Sequence, residues 1–205
     1  MKPNPRRGLL IVLEGIDGSG KTTQARRLLG RLRYRGRKAV FLREPTRGKW
    51  GRAIKRLAAR DGSLTPEQEL DLFVKDRREN VARNLEPTLA AGKVVVLDRY
   101  YFSTIAYQGA KGIDTGRIRR MNEAFAVRPD LVVILDVDAG AGLARIRGRK
   151  TRDELFERED YLARVRGIFL GFKGPRIVHL DGRAGRRAVA DAIWRHVGPL
   201  LPGKD

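Results

Sequence analysis

An apolar run is followed by Gly-Ile-Asp-Gly-Ser-Gly-Lys-Thr at residues 15–22, which fits G-x-x-x-x-G-K-[ST] and leads into a predicted helix. Glycines permit positive φ angles, so successive backbone N–H groups can point into one concavity. The helix that follows adds free N–H donors and the positive end of its dipole. An ordinary glycine turn is the alternative, but this strand–turn–helix context is the one in which the motif binds phosphates.

The motif therefore predicts an ATP site of the P-loop type. Lys21 is expected to reach the β- and γ-phosphates, and the Thr22 hydroxyl is expected to ligate Mg²⁺. Asp17 lies inside the loop, where aspartate is also common as a simple turn residue. The residues predicted to bind the nucleotide in this loop are Gly15, Ile16, Asp17, Gly18, Ser19, Gly20, Lys21 and Thr22.

Short apolar runs alternate with helical segments, which predicts an α/β fold: a five-stranded parallel sheet flanked by helices on both faces. The predicted strands cover residues 9–14, 39–42, 94–97, 131–135 and 177–180. The predicted helices include 21–34, a helix from a capping box at Thr65 to near Leu85 that Pro87 kinks or restarts, and 187–197. No linker or repeat divides the 205 residues, so we expect one domain, 1–205.

Ligands of parallel sheets bind beyond the carboxyl ends of the strands. The polar residues at those ends are Asp17, Arg43, Asp98, Arg99 and Asp136. Asp98 and Arg99 close a buried strand, where a charge pair is costly unless it has a partner or a task. A structural ion pair and a functional site are both open for these two residues.

Composition excludes several classes of site. There are no cysteines and only two histidines, which removes disulfides, thiolate nucleophiles and multi-histidine metal centres. No apolar segment is long enough to span a bilayer, and the N-terminal residues lack a signal-peptide pattern, so a cytoplasmic location is expected. The net charge of +20 suits either nucleic-acid binding or an arginine-rich composition around a phosphate site. The basic residues are spread along the chain, so we expect no specific nucleic-acid partner.

Several ordered stretches resemble the thymidylate kinase family. They are residues 13–24 around the P-loop, Arg43-Glu44-Pro45, Leu72-Phe73 with Asp76-Arg77, Asp98-Arg99-Tyr100 running on to Ala106-Tyr107-Gln108-Gly109, and Phe156-Glu157. The Asp-Arg-Tyr segment looks like that of the archaeal members. The resemblance implies transfer of the ATP γ-phosphoryl group to dTMP with Mg²⁺, a mobile basic lid at about residues 145–157, and a homodimer built from packed helices.

The resemblance also implies an acceptor site. Phe73 and Arg77 lie four apart on one predicted helix and so share a face. The matching family residues stack on thymine and hydrogen-bond it. The plain alternatives are core packing for Phe73 and a solvated or salt-bridged surface position for Arg77. Tyr107 matches a tyrosine that crowds the ribose 2′ position, or is simply a packed aromatic residue. Gln108 is expected near the base.

By the same likeness, Arg99 and Arg43 hold the acceptor phosphate, which suits the planar fork of arginine. Asp98 helps to place that phosphate or the metal, and Asp17 points at the 3′-hydroxyl or the magnesium shell. Ser103 is taken as a further substrate-binding residue, with a simple helix-start role as its alternative. The resemblance also suggests a cis peptide bond at Glu44–Pro45.

The lid is rich in positive charge that can stabilise the transferring phosphoryl group. Its basic residues are Arg145, Arg147, Arg149, Lys150 and Arg152. Arg149 and Arg152 are predicted to be catalytic, with Lys21, Asp98 and Arg99, and Arg145 is predicted to stack on adenine near residues 181–184. A solvated charged face is the alternative, and the segment from Arg152 to Glu157 is one residue longer than the usual pattern.

Two rival functions are open at this stage. One is a kinase for another nucleoside monophosphate or a deoxynucleoside, which shares the P-loop and differs only in the acceptor site. The other is a nucleic-acid-associated P-loop ATPase, which the positive charge suggests.

Overall fold

The computed structural model describes residues 8–58, 64–145 and 152–201; the side chains of residues 58 and 152–157 are outside the described set. Five parallel strands form one sheet in the order β2-β3-β1-β4-β5. The strands are β1 Leu10–Glu14, β2 Ala39–Arg43, β3 Val94–Asp98, β4 Leu131–Asp136 and β5 Ile177–Asp181. The predicted α/β fold is thus confirmed. The four strands from β2 to β5 each run one residue further than the apolar pattern, because the charged residues at their ends still pair in register.

Helices connect successive strands and cover both faces of the sheet. They are α1 Lys21–Tyr34, α2 Lys49–Ala58, α3 Pro66–Asn80, α4 Glu86–Ala90, α5 Tyr101–Gly109, α6 Thr115–Glu123, α7 Ala139–Arg145, α8 Arg152–Leu170 and α9 Arg186–Val197. The predicted capping box is present at the start of α3, where the Thr65 side chain accepts from the backbone N–H of Gln68. No helix in the described ranges is long and apolar enough to cross a membrane.

The helix that begins at Pro66 ends earlier than the sequence predicts. A π-helical turn, Val81–Leu85, follows α3, and the α-helix restarts at Glu86 with Pro87 in the first turn of α4, as predicted. Pro87 has no N–H to donate to a carbonyl one turn earlier, so an α-helical pattern cannot continue unchanged through it. Asn80, the last residue of α3, donates from its side-chain amide to Glu44 Oε1 at 2.9 Å.

The sheet separates two hydrophobic cores. Leu10 and Val12 of β1 face the core that contains α5 and α8, whereas Ile11 and Leu13 face the core against α1 and α9. All five residues of β1 are buried, as expected for the central strand of a doubly covered sheet. Burial of each leucine or isoleucine side chain stabilises the folded state by about 1.5–3 kcal/mol. The carboxyl end of β1, and the P-loop after it, is therefore fixed from both faces.

Candidate active site

The glycine-rich loop has the backbone geometry that the motif predicts. Gly15, Gly18 and Gly20 have φ angles of 135°, 79° and 94°, and Gly20 precedes the first turn of α1. A Cβ atom at Gly18 would lie 2.1 Å from the carbonyl oxygen of Gly142. Glycine at position 18 is therefore required both by the left-handed backbone and by the close approach of α7.

Lys21 is held inside this loop. Its Nζ donates to the carbonyl oxygen of Ile16 at 2.7 Å and to Ser19 Oγ at 3.3 Å. Burial lowers the pKa of Lys21, and the nearby charge of Arg99 lowers it further. An anion in the cradle would favour the charged amine. The loop therefore has the geometry predicted for a phosphate site, with the lysine side chain held inside it.

A cavity of about 680 Å³ opens over the loop. Residues 17–24 line one side of it, and Arg43, Asp98, Arg99 and Arg145 lie around the rest. Arg145 Nη1 donates to the carbonyl oxygens of Gly18 (3.3 Å) and Gly182 (3.2 Å), and Ala184 is also part of the wall. The structure thus brings Arg145 and part of the 181–184 segment to the nucleotide cavity. Stacking of Arg145 on adenine stays a prediction.

Oxygen atoms suited to a hard cation meet in this cavity. The Thr22 hydroxyl donates to Asp98 Oδ2 at 2.5 Å, and Asp98 Oδ1 is buried without a hydrogen-bond partner. Hydroxyl and carboxylate oxygens are ligands that Mg²⁺ accepts. Within residues 8–58, 64–145 and 152–201 no group of three His, Cys, Asp or Glu side chains could hold a metal alone. The oxygens of Thr22 and Asp98 therefore suit a cation that takes its remaining ligands from phosphates and water.

A second cavity, of about 280 Å³, adjoins the first. It contains the predicted acceptor residues on α3 and α5: Phe73, Arg77, Ser103, Tyr107 and Gln108. Asp17, Arg43 and Arg99 line both cavities. The structure thus has a donor-side and an acceptor-side compartment that meet at these three residues.

Phe73 and Arg77 occupy different environments within the second cavity. Phe73 is half-buried and lines the cavity, and it belongs to neither described core cluster, so the core-packing alternative is wrong. Arg77 is only 1% exposed, so a surface position is wrong for it as well, although it does form an ion pair. Its guanidinium donates to Glu44 Oε2 (2.8 Å), Asn122 Oδ1 (2.6 Å) and Thr104 Oγ1 (2.9 Å). The Glu44–Pro45 peptide bond beside it is cis.

Arg99 connects the two compartments. Its Nη2 donates to Asp17 Oδ1 at 2.6 Å, its Nη1 donates to Ser103 Oγ at 2.9 Å, and its guanidinium lies 5.1 Å from the centre of the Tyr107 ring. The Tyr107 hydroxyl in turn accepts from the backbone N–H of Asp17 at 3.0 Å. Burial acts to raise the pKa of Asp17, but the charges of Arg99 and Lys21 outweigh it and leave that pKa lowered. Asp17 is therefore a carboxylate here, and more than a turn residue.

Known proteins are similar in sequence to this chain along nearly its whole length. The family model described as thymidylate kinase matches residues 13–193. A thymidylate kinase of Akkermansia muciniphila is 45% identical over 197 residues, covering 96% of this chain and 95% of that protein. A thymidylate kinase of Xanthomonas oryzae pv. oryzae is 43% identical over 194 residues, covering 95% of this chain and 83% of that one. The chain belongs to the thymidylate kinase family. These relatives do not test the expected likeness to archaeal members.

Sequence reasoning missed several residues of this thymidylate kinase fold. Glu14, the last residue of β1, is a fully buried carboxylate beside Lys21 and Arg99, and burial raises its pKa. A charged residue that ends an apolar run directly before the P-loop was the available signal. Tyr161 of α8 lines the acceptor cavity and donates from its hydroxyl to the carbonyl oxygen of Tyr107 at 2.9 Å. No pattern in the sequence marks Tyr161.

The predicted lid of this family member is only partly described. Arg147, Arg149 and Lys150 lie outside the described residues, and Arg152 begins α8 with its side chain outside the described set. Further along α8, Arg166 makes a two-point ion pair with Asp136 at the end of β4, through Nε–Oδ1 (2.6 Å) and Nη2–Oδ2 (2.9 Å). The helix that leaves the lid is thus attached to the carboxyl edge of the sheet. The assignment of Arg149 and Arg152 as catalytic stays a prediction.

Proposed function

We propose that this chain transfers the γ-phosphoryl group of ATP to dTMP, giving ADP and dTDP for the synthesis of dTTP. The observation that carries the proposal is the meeting of two cavities at Asp17, Arg43 and Arg99, one over a P-loop and one lined by Phe73 and Arg77. Membership of the thymidylate kinase family supports the identity of both substrates.

The chain's own residues act chiefly by position and charge. The P-loop amides and Lys21 hold the donor phosphates, and Arg99 and Arg43 hold the acceptor phosphate in the adjoining compartment. Phe73 and Arg77 bind the base, with Gln108 near them, and Tyr107 limits space at the ribose 2′ position. Holding two reactants in line removes much of the entropic barrier, and no covalent intermediate is required.

Asp17 is placed to accept a hydrogen bond from the acceptor sugar. Its carboxylate lies on Arg99 at the border of the two cavities, and its lowered pKa keeps it ionised at neutral pH. An ionised carboxylate accepts hydrogen bonds and cannot donate them. We propose that Asp17 orients the 3′-hydroxyl of dTMP, or a water of the magnesium shell.

We propose that Thr22 and Asp98 hold Mg²⁺ together with the donor phosphates. Two observations support this proposal. The Thr22 hydroxyl donates to Asp98 Oδ2 at 2.5 Å, and Asp98 Oδ1 is buried without a hydrogen-bond partner. When bound, the ion neutralises charge on the β- and γ-phosphates. The lid arginines Arg149 and Arg152 are proposed to add positive charge over the transferring group, and closure of the lid excludes water.

The decisive experiment is a survey of phosphate acceptors with ATP and Mg²⁺. A coupled ADP-release assay would compare dTMP with dUMP, dCMP, UMP, AMP and thymidine at equal concentrations. We expect dTMP to give the highest kcat/KM and thymidine to give none. A clear preference for another acceptor would show that the named substrate is wrong.

The rival function of a nucleic-acid-associated ATPase makes a different prediction. It requires that DNA or RNA stimulate ATP hydrolysis at physiological salt. The kinase proposal requires slow hydrolysis without an acceptor and no stimulation by nucleic acid. The same enzyme preparation can be assayed with duplex DNA, single-stranded DNA and RNA at 150 mM salt.

Three broader predictions concern the whole chain: the family resemblance implies the homodimer, whereas the single domain and the cytoplasmic location are expected from the sequence pattern. The chain is expected to form one domain over residues 1–205, to pair as a homodimer through packed helices, and to act in the cytoplasm. Light scattering after size-exclusion chromatography over a concentration range tests the dimer directly. A single species with the mass of one 23.1 kDa chain would contradict it.

A further inference from the structure

The carboxylate of Glu14 contacts the start of a helix that belongs to another part of the chain. Its Oε1 accepts from the backbone N–H groups of Tyr100 (2.7 Å) and Ser103 (3.2 Å), and its Oε2 accepts from the Ser103 hydroxyl (2.6 Å). All three groups are donors. The two oxygens of the Glu14 side chain accept from all three.

These contacts supply the N-terminal cap of α5. Tyr100 is the N-cap residue, and its own side chain makes no capping hydrogen bond. In a capping box, two side chains of the helix accept the N–H groups of the N-cap residue and of the third helical residue. Here the single carboxylate of Glu14 accepts hydrogen bonds from both of these N–H groups, those of Tyr100 and Ser103. The first turn of α5 is thereby attached to the end of β1.

Arg99 lies directly before this capped turn in an unfavourable backbone conformation. Among the described non-glycine residues it alone has a positive φ, 71°. Such a conformation persists only where the surrounding structure fixes it. The N–H of Arg99 donates to the carbonyl oxygen of Leu13 at 3.1 Å, and the N–H of Tyr100 donates to Glu14. The amides on both sides of the Arg99 Cα are therefore attached to β1.

The side chain of Arg99 depends on the same contacts. Ser103 has one hydroxyl proton, which it donates to Glu14, so its oxygen presents lone pairs to Arg99 Nη1 at 2.9 Å. Glu14 therefore sets the direction of the Ser103 hydroxyl, and the Ser103 hydroxyl, together with Asp17, holds the guanidinium.

We propose that Glu14 is a positioning residue for the acceptor phosphate: acting through Tyr100 and Ser103, it holds Arg99 in the conformation that faces both cavities. The proposal rests on the function proposed above, because it takes Arg99 as the residue that binds the acceptor phosphate. Two other roles are possible for a buried carboxylate here. Glu14 could adjust the charge of Lys21 on the ATP side, or it could serve stability alone.

The test is Glu14→Gln, with Val12→Ala as the matched control. Glutamine keeps the size of the side chain, and its oxygen can still accept from the backbone N–H groups of Tyr100 and Ser103, but its N–H₂ group would face the Ser103 hydroxyl, which could then no longer donate to residue 14. Val12→Ala removes two buried methyl groups from the same strand, and Val12 lines neither cavity. KM for dTMP, KM for ATP, kcat and the thermal midpoint would be measured for both variants.

We expect Glu14→Gln to raise KM for dTMP roughly tenfold while KM for ATP changes less than about twofold, the size expected for a lost hydrogen bond to a charged group. Val12→Ala is expected to lower the thermal midpoint without changing the ratio of the two KM values. A crystal structure of Glu14→Gln should show a displaced Arg99 guanidinium. Equal rises in both KM values, a rise in the ATP value alone, or no rise would each overturn the proposal.

A second pair of variants keeps the test usable if Glu14→Gln does not fold. Glu14→Asp retains the charge near Lys21 but withdraws the carboxylate by one methylene, and Ser103→Ala removes only the hydroxyl that joins Glu14 to Arg99. The proposal requires a selective rise in KM for dTMP in both variants. A normal KM for dTMP in either one would overturn it.

Failure of the proposed function would be separate from failure of this inference. The acceptor survey on the unaltered enzyme decides which monophosphate is the substrate. The Glu14 variants are then measured with that monophosphate. An acceptor other than dTMP would overturn the named function, whereas an unaltered acceptor KM in the variants would overturn the role of Glu14.

Discussion

Replacing Arg77 with methionine removes one partner of a buried ion pair, and we expect a large, pH-dependent loss of stability. The side chains of Arg77 and Glu44 are 1% and 3% exposed, and their closest atoms are 2.8 Å apart. Methionine has a similar length and no charge. The substitution leaves Glu44 Oε2 buried and removes the Arg77 Nε–H group that now donates to it.

The magnitude follows from the burial of both groups. Removing one partner of a buried pair costs about 3–5 kcal/mol, because the remaining charge is left without compensation. For a chain of this size, 1 kcal/mol corresponds to about 2–4 °C in the thermal midpoint. We therefore expect the midpoint of Arg77→Met to fall by roughly 6–20 °C at neutral pH.

The loss should be smaller in mild acid. Burial raises the pKa of Glu44, and the charge of Arg77 opposes that rise. Without Arg77 the pKa of Glu44 in the folded state should rise further above the unfolded value of about 4.3. A carboxyl group with a raised pKa in the folded state contributes its full stability below the unfolded pKa, and loses it as pH rises towards the folded pKa. The variant should therefore be closer to the unaltered protein at pH 5 than at pH 8.

Chemical unfolding of both proteins at pH 5 and pH 8 measures this difference, with Arg77→Met/Glu44→Gln as the matched control. Glutamine needs no counter-charge, so the double variant should recover at least half of the lost stability and lose the pH dependence. A loss below 1 kcal/mol in the single variant, an equal loss at both pH values, or no recovery in the double variant would refute the reasoning.

Three further changes test the nucleotide cavity. Gly18→Ala should raise KM for ATP far more than Gly20→Ala does. Both glycines have positive φ, but only a Cβ at Gly18 meets the carbonyl of Gly142. Similar KM values for ATP in the two variants would contradict this geometry. Lys21→Ala should lower kcat at least about 100-fold with a near-normal thermal midpoint, since it removes stabilisation of transferring charge; stopped assays and calorimetry measure the two effects. Asp98→Asn should raise the Mg²⁺ concentration for half-maximal rate about tenfold through a weakened oxygen ligand, and an unchanged Mg²⁺ titration would count against its role.

Local sequence patterns predicted the framework of the site. The apolar runs predicted all five strands, because strands buried on both faces leave a continuous hydrophobic signal. The P-loop followed from glycine chemistry, and the structure gives Gly15, Gly18 and Gly20 the positive φ angles that this chemistry requires. Phe73 and Arg77 were placed on one helix face by their spacing of four residues, and both line the second cavity.

The long-range contacts could not be predicted in this way. Glu14 and Tyr100 are 86 positions apart, and only the pairing of β1 with β3 brings them together. The positive φ of Arg99 has no local signal, since arginine has no preference for that conformation. The π-helical turn before Pro87 was also missed, because a proline in a helical pattern indicates that the helix must change but not at which residue.

The distribution of positive charge explains why composition alone could not locate the site. The chain has 44 lysine and arginine residues, and most of them face solvent, where an ion pair contributes little. Arg77 and Arg99 differ because each lies in the interior opposite a carboxylate, Glu44 and Asp17, at 2.8 and 2.6 Å. A buried guanidinium with a fixed carboxylate partner has a defined position, and a defined position is what recognition of a base or a phosphate requires. The acidic residues that follow the strands, and not the abundance of arginine, therefore determine which basic residues can take part in the reaction.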